Sequence, residues 1–466
     1  MLGCLHSLGG CAVEIKSVSV VGLGYLGLPF AVFLAERGLR VVGVDADRAK
    51  VESLGEGRLY LRDEGLDEAF RKVMAADRLA FSDDYSAVAE TDVTFIAVGT
   101  PTLEDGSQDL SQVVAAVKGV GSALKGKGSY HVVVVKSTIL PETSRKVVIP
   151  ALEMESGARV GEGLGYAYCP EFIREGRALL DFRSPSRVVI GEADRRSGDV
   201  VEALYRRLYG GRVPIIRTTL ENAEIIKYAS NAFLAMKVSF INTIARVCEV
   251  TPNSDVEVVR RGMGLDPRIN PSYMEAGIGF GGSCLPKDLK ALVAYLSERG
   301  YEPKLLKAVL EVNERQALWP VERLKEVYGE LRGVRVAVLG LTFKEGTDDT
   351  RDSQSIPLIR ALLDEGARVR VYDPAGMEGF RARYYYLDVE YAEDPRDCIR
   401  GADAAVIATA WGEFRELKPE DFRRLMRRAV VVDGRRIYSP EEMRKAGVEY
   451  YTVGTYHRRP RIASEM

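Results

Sequence analysis

The sequence predicts an α/β protein: two doubly wound domains joined by a long central helix and a helical middle domain. Three observations predict it. Short runs rich in Val and Ile alternate with helical stretches up to about residue 218. The alternation then gives way to one long, mostly apolar segment, and it resumes from about residue 334. Continuous apolar runs separated by helices mean parallel strands covered on both faces. A chain of 466 residues is too long for one core, so two such blocks are reasonable.

In order along the chain, the first block has strands at 18–24 (VSVVGLG), 40–46 (RVVGVDA), 92–99 (DVTFIAVG) and 131–137 (HVVVVKS). Further strands follow at 165–170 (GYAYCP), 187–192 (RVVIGE) and 213–217 (VPIIR). The segment 219–250 reads as one helix with apolar residues on most faces, hence largely buried in the chain or in a dimer. More helices reach to about residue 329, and the second block has strands at 334–341, 368–374, 403–410 and 429–435. The expected boundaries are an N-terminal extension 1–14, an α/β domain 15–218, a central helical domain 219–329 and a second α/β domain 330–466.

Composition excludes several classes. The formal net charge of −2 gives no basic field for nucleic acid. No apolar run approaches the roughly 18 residues of a membrane span, and the N-terminus lacks the layout of a signal peptide, so a cytoplasmic protein is expected. The six cysteines (Cys4, Cys11, Cys169, Cys248, Cys284, Cys398) are scattered without CxxC spacing, and the three histidines lie far apart. Neither pattern suits a metal site or a disulfide scaffold, so no metal is expected.

The run GLGYLG places Gly22, Gly24 and Gly27 straight after a strand and before a helix, with Tyr25 and Leu26 inside the turn. Glycines there allow a tight turn and close backbone approach, and a pyrophosphate sits on the helix N-terminus. Asp45 ends the next strand, where a carboxylate accepts from ribose hydroxyls and repels a 2′-phosphate. This is a Rossmann-type signature favouring NAD over NADP.

The run GFGGSCLPKD (279–288) puts Cys284 between a glycine-rich turn and a helix start, with Lys287 and Asp288 close behind. A small buried hydrophobe is one reading of Cys284; a thiol activated by the helix N-terminus and a lysine is the other. On the long helix, Lys227 and Asn231 stand at i and i+4 among apolar neighbours and share a face suited to a developing alkoxide. Glu171 and Glu175 follow one strand, in PEFIREG, and Thr138 follows another, in KSTILPETS. Solvated helix starts or caps remain alternatives for both, although ligands of a doubly wound sheet bind at the carboxyl ends of its strands.

Read together, GLGYLGLP, VGTPT, KSTILP, PEFIREGRALLDF, EIIKYASNAFLAMKVSFIN, GLDPRI, GIGFGGSCLPKD, GLTFKEGTDDTRDS and VDGRRIYSPEEM resemble the nucleotide-sugar dehydrogenases, over nearly the whole chain and in family order. The resemblance implies an NAD-dependent four-electron oxidation of a sugar nucleotide. The KYASNAFLAMKVSFIN and GLDPRI runs lean to UDP-glucose, with GDP-mannose or another nucleotide sugar as the alternative. It implies Cys284 as nucleophile, with Lys227, Asn231 and Asp288 as electrostatic and acid-base partners and Thr138 and Glu171 positioning water. Implied NAD contacts, beyond the glycine turn and Asp45, are Lys50, Thr100, Thr138, Glu175, Lys287 and Arg351.

Implied substrate contacts are Glu171, Phe172, Ile173, Arg174 and Glu175, then Lys227 and Asn231. Others are the loop Tyr273, Met274, Glu275, Ala276 and Gly277, then Gly281 and Lys344. Arg268 is implied to reach a neighbouring subunit's site in a homodimer or higher oligomer. The second α/β domain is implied to hold the uridine diphosphate; its GLTFKEG lacks GxGxxG spacing, as that requires. Cys169 departs from the Asn usual before PEF, and the first 14 residues have no counterpart in the family. A two-electron hydroxyacid dehydrogenase lacks GGSC and the second α/β domain. A non-catalytic sensor would be expected to have lost Cys284, Lys227 or Asp288.

Overall fold

A computed structural model describes residues 15–456; the N-terminal extension therefore falls outside the described residues. The chain divides into two compact units. Unit 1 runs through Pro101 and from Gln108 to Lys227, and unit 2 takes Thr102–Ser107 and the chain from Tyr228 on. The helical middle is thus part of unit 2.

Unit 1 is built on an eight-stranded sheet: β1 (Ser17–Val21), β2 (Arg40–Val44), β3 (Leu79–Ser82), β4 (Val93–Ile96), β5 (His131–Val135), β6 (Leu164–Tyr168), β7 (Val188–Glu192) and β8 (Ile215–Thr219). The spatial order is β3-β2-β1-β4-β5-β6-β7-β8. The central strands β1, β4, β5 and β6 are buried at every residue, which is why Val, Ile and aromatic residues dominate them. The helix Gly27–Glu36 covers one face, with Phe30 and Phe33 packed against Phe95 and Phe182.

One expectation fails in direction. β7 pairs antiparallel to β6 through Ala167↔Glu192 and Tyr168↔Gly191, so the sheet is mixed rather than wholly parallel. An apolar run shows that a strand is buried on both faces, not which way it runs. The connection from Cys169 to Arg187 returns to the carboxyl end of β6, and β7 starts from there. β3 also escapes the sequence reading: it is a four-residue edge strand with one buried residue, so it lacks a core strand's signature.

Unit 2 has a six-stranded, all-parallel sheet in the order β11-β10-β9-β12-β13-β14. Its strands are β9 (Arg335–Leu339), β10 (Arg368–Tyr372), β11 (Val389–Tyr391), β12 (Ala404–Ile407), β13 (Val430–Asp433) and β14 (Glu449–Thr452). The edge strands β11 and β14 are the two that periodicity leaves out, for the same reason as β3. The helix Leu220–Val250 starts in unit 1 and continues into unit 2. It is less buried than its composition suggests: Phe233, Phe240 and Val247, seven residues apart, are 58%, 48% and 53% exposed. The described residues contain no helix long and apolar enough to cross a membrane, and no cluster of His, Cys, Asp or Glu fit for a metal.

Candidate active site

In unit 1, Gly22 closes β1 at φ 90°, and its N–H donates to Val44 O at 2.8 Å. A Cβ there would lie 2.9 Å from Ala97 O, and one at Gly27 would overlap Gly22 O. A Cβ at Gly24 would meet nothing within 4 Å, so that backbone lies open to a ligand. Asp45 accepts from Leu23 N at 2.8 Å and from Asp47 N at 2.9 Å, with Lys50 Nζ at 4.0 Å. A carboxylate offers about four acceptor positions, so Asp45 keeps capacity for ribose hydroxyls. Tyr60, which no motif points to, donates to Leu23 O at 2.6 Å and braces the same turn. The open glycine, the strand-to-helix turn and the unsaturated Asp45 fit NAD.

Further along this sheet, Lys227 Nζ donates to Glu171 Oε1 at 2.7 Å and to Glu171 O at 2.8 Å, with both side chains nearly dry. The Phe172 ring stands 5.6 Å from the same nitrogen. Glu171 Oε2 accepts from Ile173 N at 2.7 Å, so the carboxylate shapes its own loop as well as holding the ammonium. Arg174 turns away to Asp181 at 2.6 Å. Thr138 lies in the turn after β5, and its carbonyl accepts from Gln108 Nε2 at 2.7 Å. Thr100 is buried beyond β4.

Beneath the Glu171 loop lies a lysine that the sequence reading did not single out. Lys136, fully buried, donates to Cys169 O at 3.1 Å and Tyr205 OH at 3.2 Å, and stands 4.7 Å from the Phe30 ring. Burial pushes its pKa down. The Cys169 thiol meets Tyr205 OH at 3.4 Å. Lys136 and Tyr205 thus anchor the backbone before PEF without the amide usual at position 169.

In unit 2, Cys284 is the only exposed cysteine among the described residues; Cys169, Cys248 and Cys398 are buried. It stands at the N-cap of the helix Leu285–Glu298, and its carbonyl accepts from Asp288 N at 2.9 Å. The exposure and the helix N-terminus together favour the reactive reading over a packed one.

The loop leading to it is fixed from several directions. Asn313 grips Phe280 by both backbone groups, at 2.7 and 2.9 Å, and Arg435 donates to Gly279 O at 3.1 Å. Phe280 itself is buried with Ala232, Ala235, Leu289 and Val309. A Cβ at Gly282, which has φ 87°, would lie 2.6 Å from the Phe343 ring, and only glycine fits both demands. Gly281 is closed in by Asp352 O.

Asp288, almost fully buried, accepts from Asn231 Nδ2 at 2.6 Å and from Lys287 Nζ at 2.5 Å. Arg351 binds Asp349 with both arms of its fork, at 2.8 and 2.7 Å. Lys344 Nζ lies 5.5 Å from the Phe343 ring. In the 273–277 loop, Tyr273 takes φ 62°, Met274 and Ala276 are buried and Glu275 faces Arg260 at 3.6 Å. Gly277 N donates to Asn242 Oδ1 at 2.9 Å. Arg268 is exposed and pairs with Asp266 at 2.6 Å. The predicted residues thus form local groups: Lys227 with Glu171 and Phe172 in unit 1, and Asn231 with Asp288 and Lys287 in unit 2. Arg174, Arg268 and Arg351 are each held by an acidic residue near in sequence. Asn313, Arg435 and Lys136 carry no local sequence signal, because their partners lie 27 or more residues away.

Three family models match the chain in order. They are the NAD binding domain, the central domain and the UDP binding domain of the UDP-glucose/GDP-mannose dehydrogenase family, at residues 16–209, 221–315 and 337–440. The chain belongs to that family. Among its curated members, the UDP-glucose 6-dehydrogenase AglM of Haloferax volcanii is 43% identical over 94% of this chain and 99% of its own length. The UDP-glucose 6-dehydrogenase of Rhizobium meliloti is 42% identical over 94% and 99%. A solved UDP-glucose dehydrogenase from Pyrobaculum islandicum superposes with a TM-score of 0.87 at 41% identity, covering 96% of this chain and all of that one. The protein is an NAD-dependent oxidoreductase of this family, as the glycine turn and Asp45 indicate.

Proposed function

We propose that the protein oxidises UDP-glucose to UDP-glucuronate in two steps, holding the sugar on Cys284 between them. The observation that carries the covalent part is Cys284 itself, the one exposed thiol among the described residues, standing at a helix N-terminus. UDP-glucose is favoured because the similar proteins over the full chain, at 41–43% identity, bear that substrate in their names.

NAD, when bound, accepts the hydride in each oxidation. The first oxidation gives an aldehyde. The Cys284 thiolate adds to its carbon to form a thiohemiacetal, and the second oxidation leaves a thioester. Water cleaves the C–S bond, releasing the acid and returning the thiol. Lys227 and Asn231 stabilise the negative oxygen of the tetrahedral species. Their ground-state partners Glu171 and Asp288 hold each group in place and manage protons. Thr138 and Glu171 orient the hydrolytic water. The phosphates and uridine fall to unit 2, with Lys344 and the 273–277 loop.

The apolar stripe of Phe233, Phe240 and Val247 suits a second copy of the helix in a homodimer, with Arg268 reaching the partner's substrate. Light scattering at the 51.4 kDa monomer mass, with full activity, would contradict this part. A cytoplasmic site accords with a cysteine that must stay reduced. Specificity constants with NAD decide the substrate: UDP-glucose should exceed GDP-mannose by at least about 10²-fold, and a preference for GDP-mannose would overturn the assignment.

A further inference from the structure

The turn that carries Thr138 is held by two side chains from distant parts of unit 1, each matched to what it holds. Gln108 donates Nε2 to Thr138 O at 2.7 Å and accepts on Oε1 from Leu140 N at 3.1 Å. Glu224, fully buried, accepts from Glu142 N at 2.7 Å on one oxygen and from Ser144 N at 2.8 Å on the other. Ser144 opens the π-helical turn Ser144–Val148, so its N–H has no partner along its own helix. Glu142 sits at φ 73°, a conformation that a non-glycine residue keeps only when its surroundings impose it.

Two backbone donors side by side demand two acceptors. A carboxylate supplies them, whereas an amide would turn its NH2 on one donor. Glu224 also lies three residues before Lys227 on the same helix. One turn of that helix therefore holds both the Thr138 turn and the Lys227–Glu171 pair.

We propose that Gln108 and Glu224 are positioning residues for the reaction, that they keep the Thr138 turn in register with the Lys227–Glu171 pair, and that Glu224 does so only as the carboxylate. The proposal rests on the reading of Thr138 given above. Burial pushes the Glu224 carboxyl up to about 7, against the pull of the Ser144 and Glu142 N–H groups, with Glu221 raising it further. The charged and titratable groups facing it are Glu221 on its own helix, Glu142 and Arg145 from the turn, and Tyr166 from β6. Arg145 is engaged by Glu221 at 2.6 Å, and Tyr166 OH meets Ser144 Oγ at 2.8 Å.

Below pH 7 the protonated oxygen presents a donor to a backbone N–H, so one bond of the clamp is lost; above pH 7 both are made. Stability moves the other way. The folded pKa lies above the unfolded one, so the contribution of Glu224 is fully present below about pH 4.5 and is lost as pH rises through 7. Acidification should therefore slow turnover without lowering this part of the stability. A residue serving stability alone would move the two together.

The test compares Glu224→Gln, Glu224→Asp, Gln108→Glu and Thr138→Ala with wild type, using UDP-glucose and NAD, thermal melting from pH 6 to 8.5, and amide exchange of the ligand-free protein. Glu224→Gln should lower kcat on the order of tenfold to 10²-fold, the cost of about 1 Å of misplacement. KM for UDP-glucose should stay within about twofold. The acid limb near pH 7 should vanish, and amides of residues 138–144 should exchange faster without a lower melting temperature at pH 8. Glu224→Asp should recover part of the rate. Gln108→Glu should slow turnover from the other end of the turn, and it decides the matter if Glu224→Gln does not fold. Wild-type kcat and an unchanged acid limb in Glu224→Gln, beside a slow Thr138→Ala, would overturn the clamp alone. A wild-type rate in Thr138→Ala would bring down the reading of Thr138 together with the clamp.

Discussion

Unit 1 and unit 2 repeat one device, a glycine after the first central strand and an aspartate after the next strand, and use it in opposite ways. In unit 1, Asp45 accepts from two backbone N–H groups and stays partly exposed. In unit 2, Asp373 takes six donors: Leu341 N, Thr342 N, Thr342 Oγ1 and Trp411 Nε1 on one oxygen, and Ala375 N and Gly376 N on the other. It is 2% exposed. Six donors exceed what a carboxylate accepts while still serving a ribose. The glycines themselves are alike, since a Cβ would clash at either, 2.5 Å from Thr409 at Gly340 and 2.9 Å from Ala97 O at Gly22. One strand order thus yields a nucleotide reader in unit 1 and a locked turn in unit 2, and the difference lies in unspent acceptors rather than in the fold.

The largest effect that separates the two is on stability. Asp373→Ala strands six donors in a dry site, and should cost roughly 3 kcal/mol or more in urea unfolding. Asp45→Ala should cost within about 1 kcal/mol. Equal costs would break the comparison.

The next effect is acid sensitivity. Burial, helped by Lys127, pushes the His131 imidazole down to about 3, and the ring bonds Thr94 Oγ1 at 2.8 Å. The neutral ring is required in the fold, so its contribution is present above about pH 6.5 and is lost as pH falls towards 3. Glu224 offsets this between pH 7 and 4.5, where its own proton uptake favours the fold. Unit 2 has no histidine among its described residues. Unit 1 should therefore lose more stability than unit 2 below pH 4.5, by about 2 kcal/mol, seen as earlier exchange of the β5 amides than of the β9 amides. Simultaneous opening of both sheets would contradict it.

The smallest effect sharpens the role of Asp45. Asp45→Ala should raise KM for NAD by about tenfold and narrow the NAD over NADP preference. An unchanged preference would move cofactor selection elsewhere.

The sequence showed the central strands, the glycine turn and the cysteine at a helix start because each signal is local. β1, β5, β9 and β13 are buried on both faces, so their composition alone marks them. The edge strands β3, β11 and β14 have a wet face and no such mark. The direction of β7 depends on where its connection returns, which periodicity does not encode. The residues that hold the site, Gln108, Lys136, Glu224, Asn313 and Arg435, act on partners 27 to 156 positions away. Their chemistry is plain only once the partners are placed.

The central claim is that Cys284 carries the sugar covalently between the two oxidations. The most direct measurement is the intact mass of Cys284→Ser and Cys284→Ala after incubation with UDP-glucose and NAD. A serine keeps the shape but is a far poorer nucleophile, and its oxygen ester hydrolyses more slowly than a thioester. The account predicts a sugar-acyl ester adduct, with the nucleotide retained, trapped on Cys284→Ser, none on Cys284→Ala, and steady-state turnover almost abolished in both. Release of UDP-glucuronate by Cys284→Ala at the wild-type rate would contradict it.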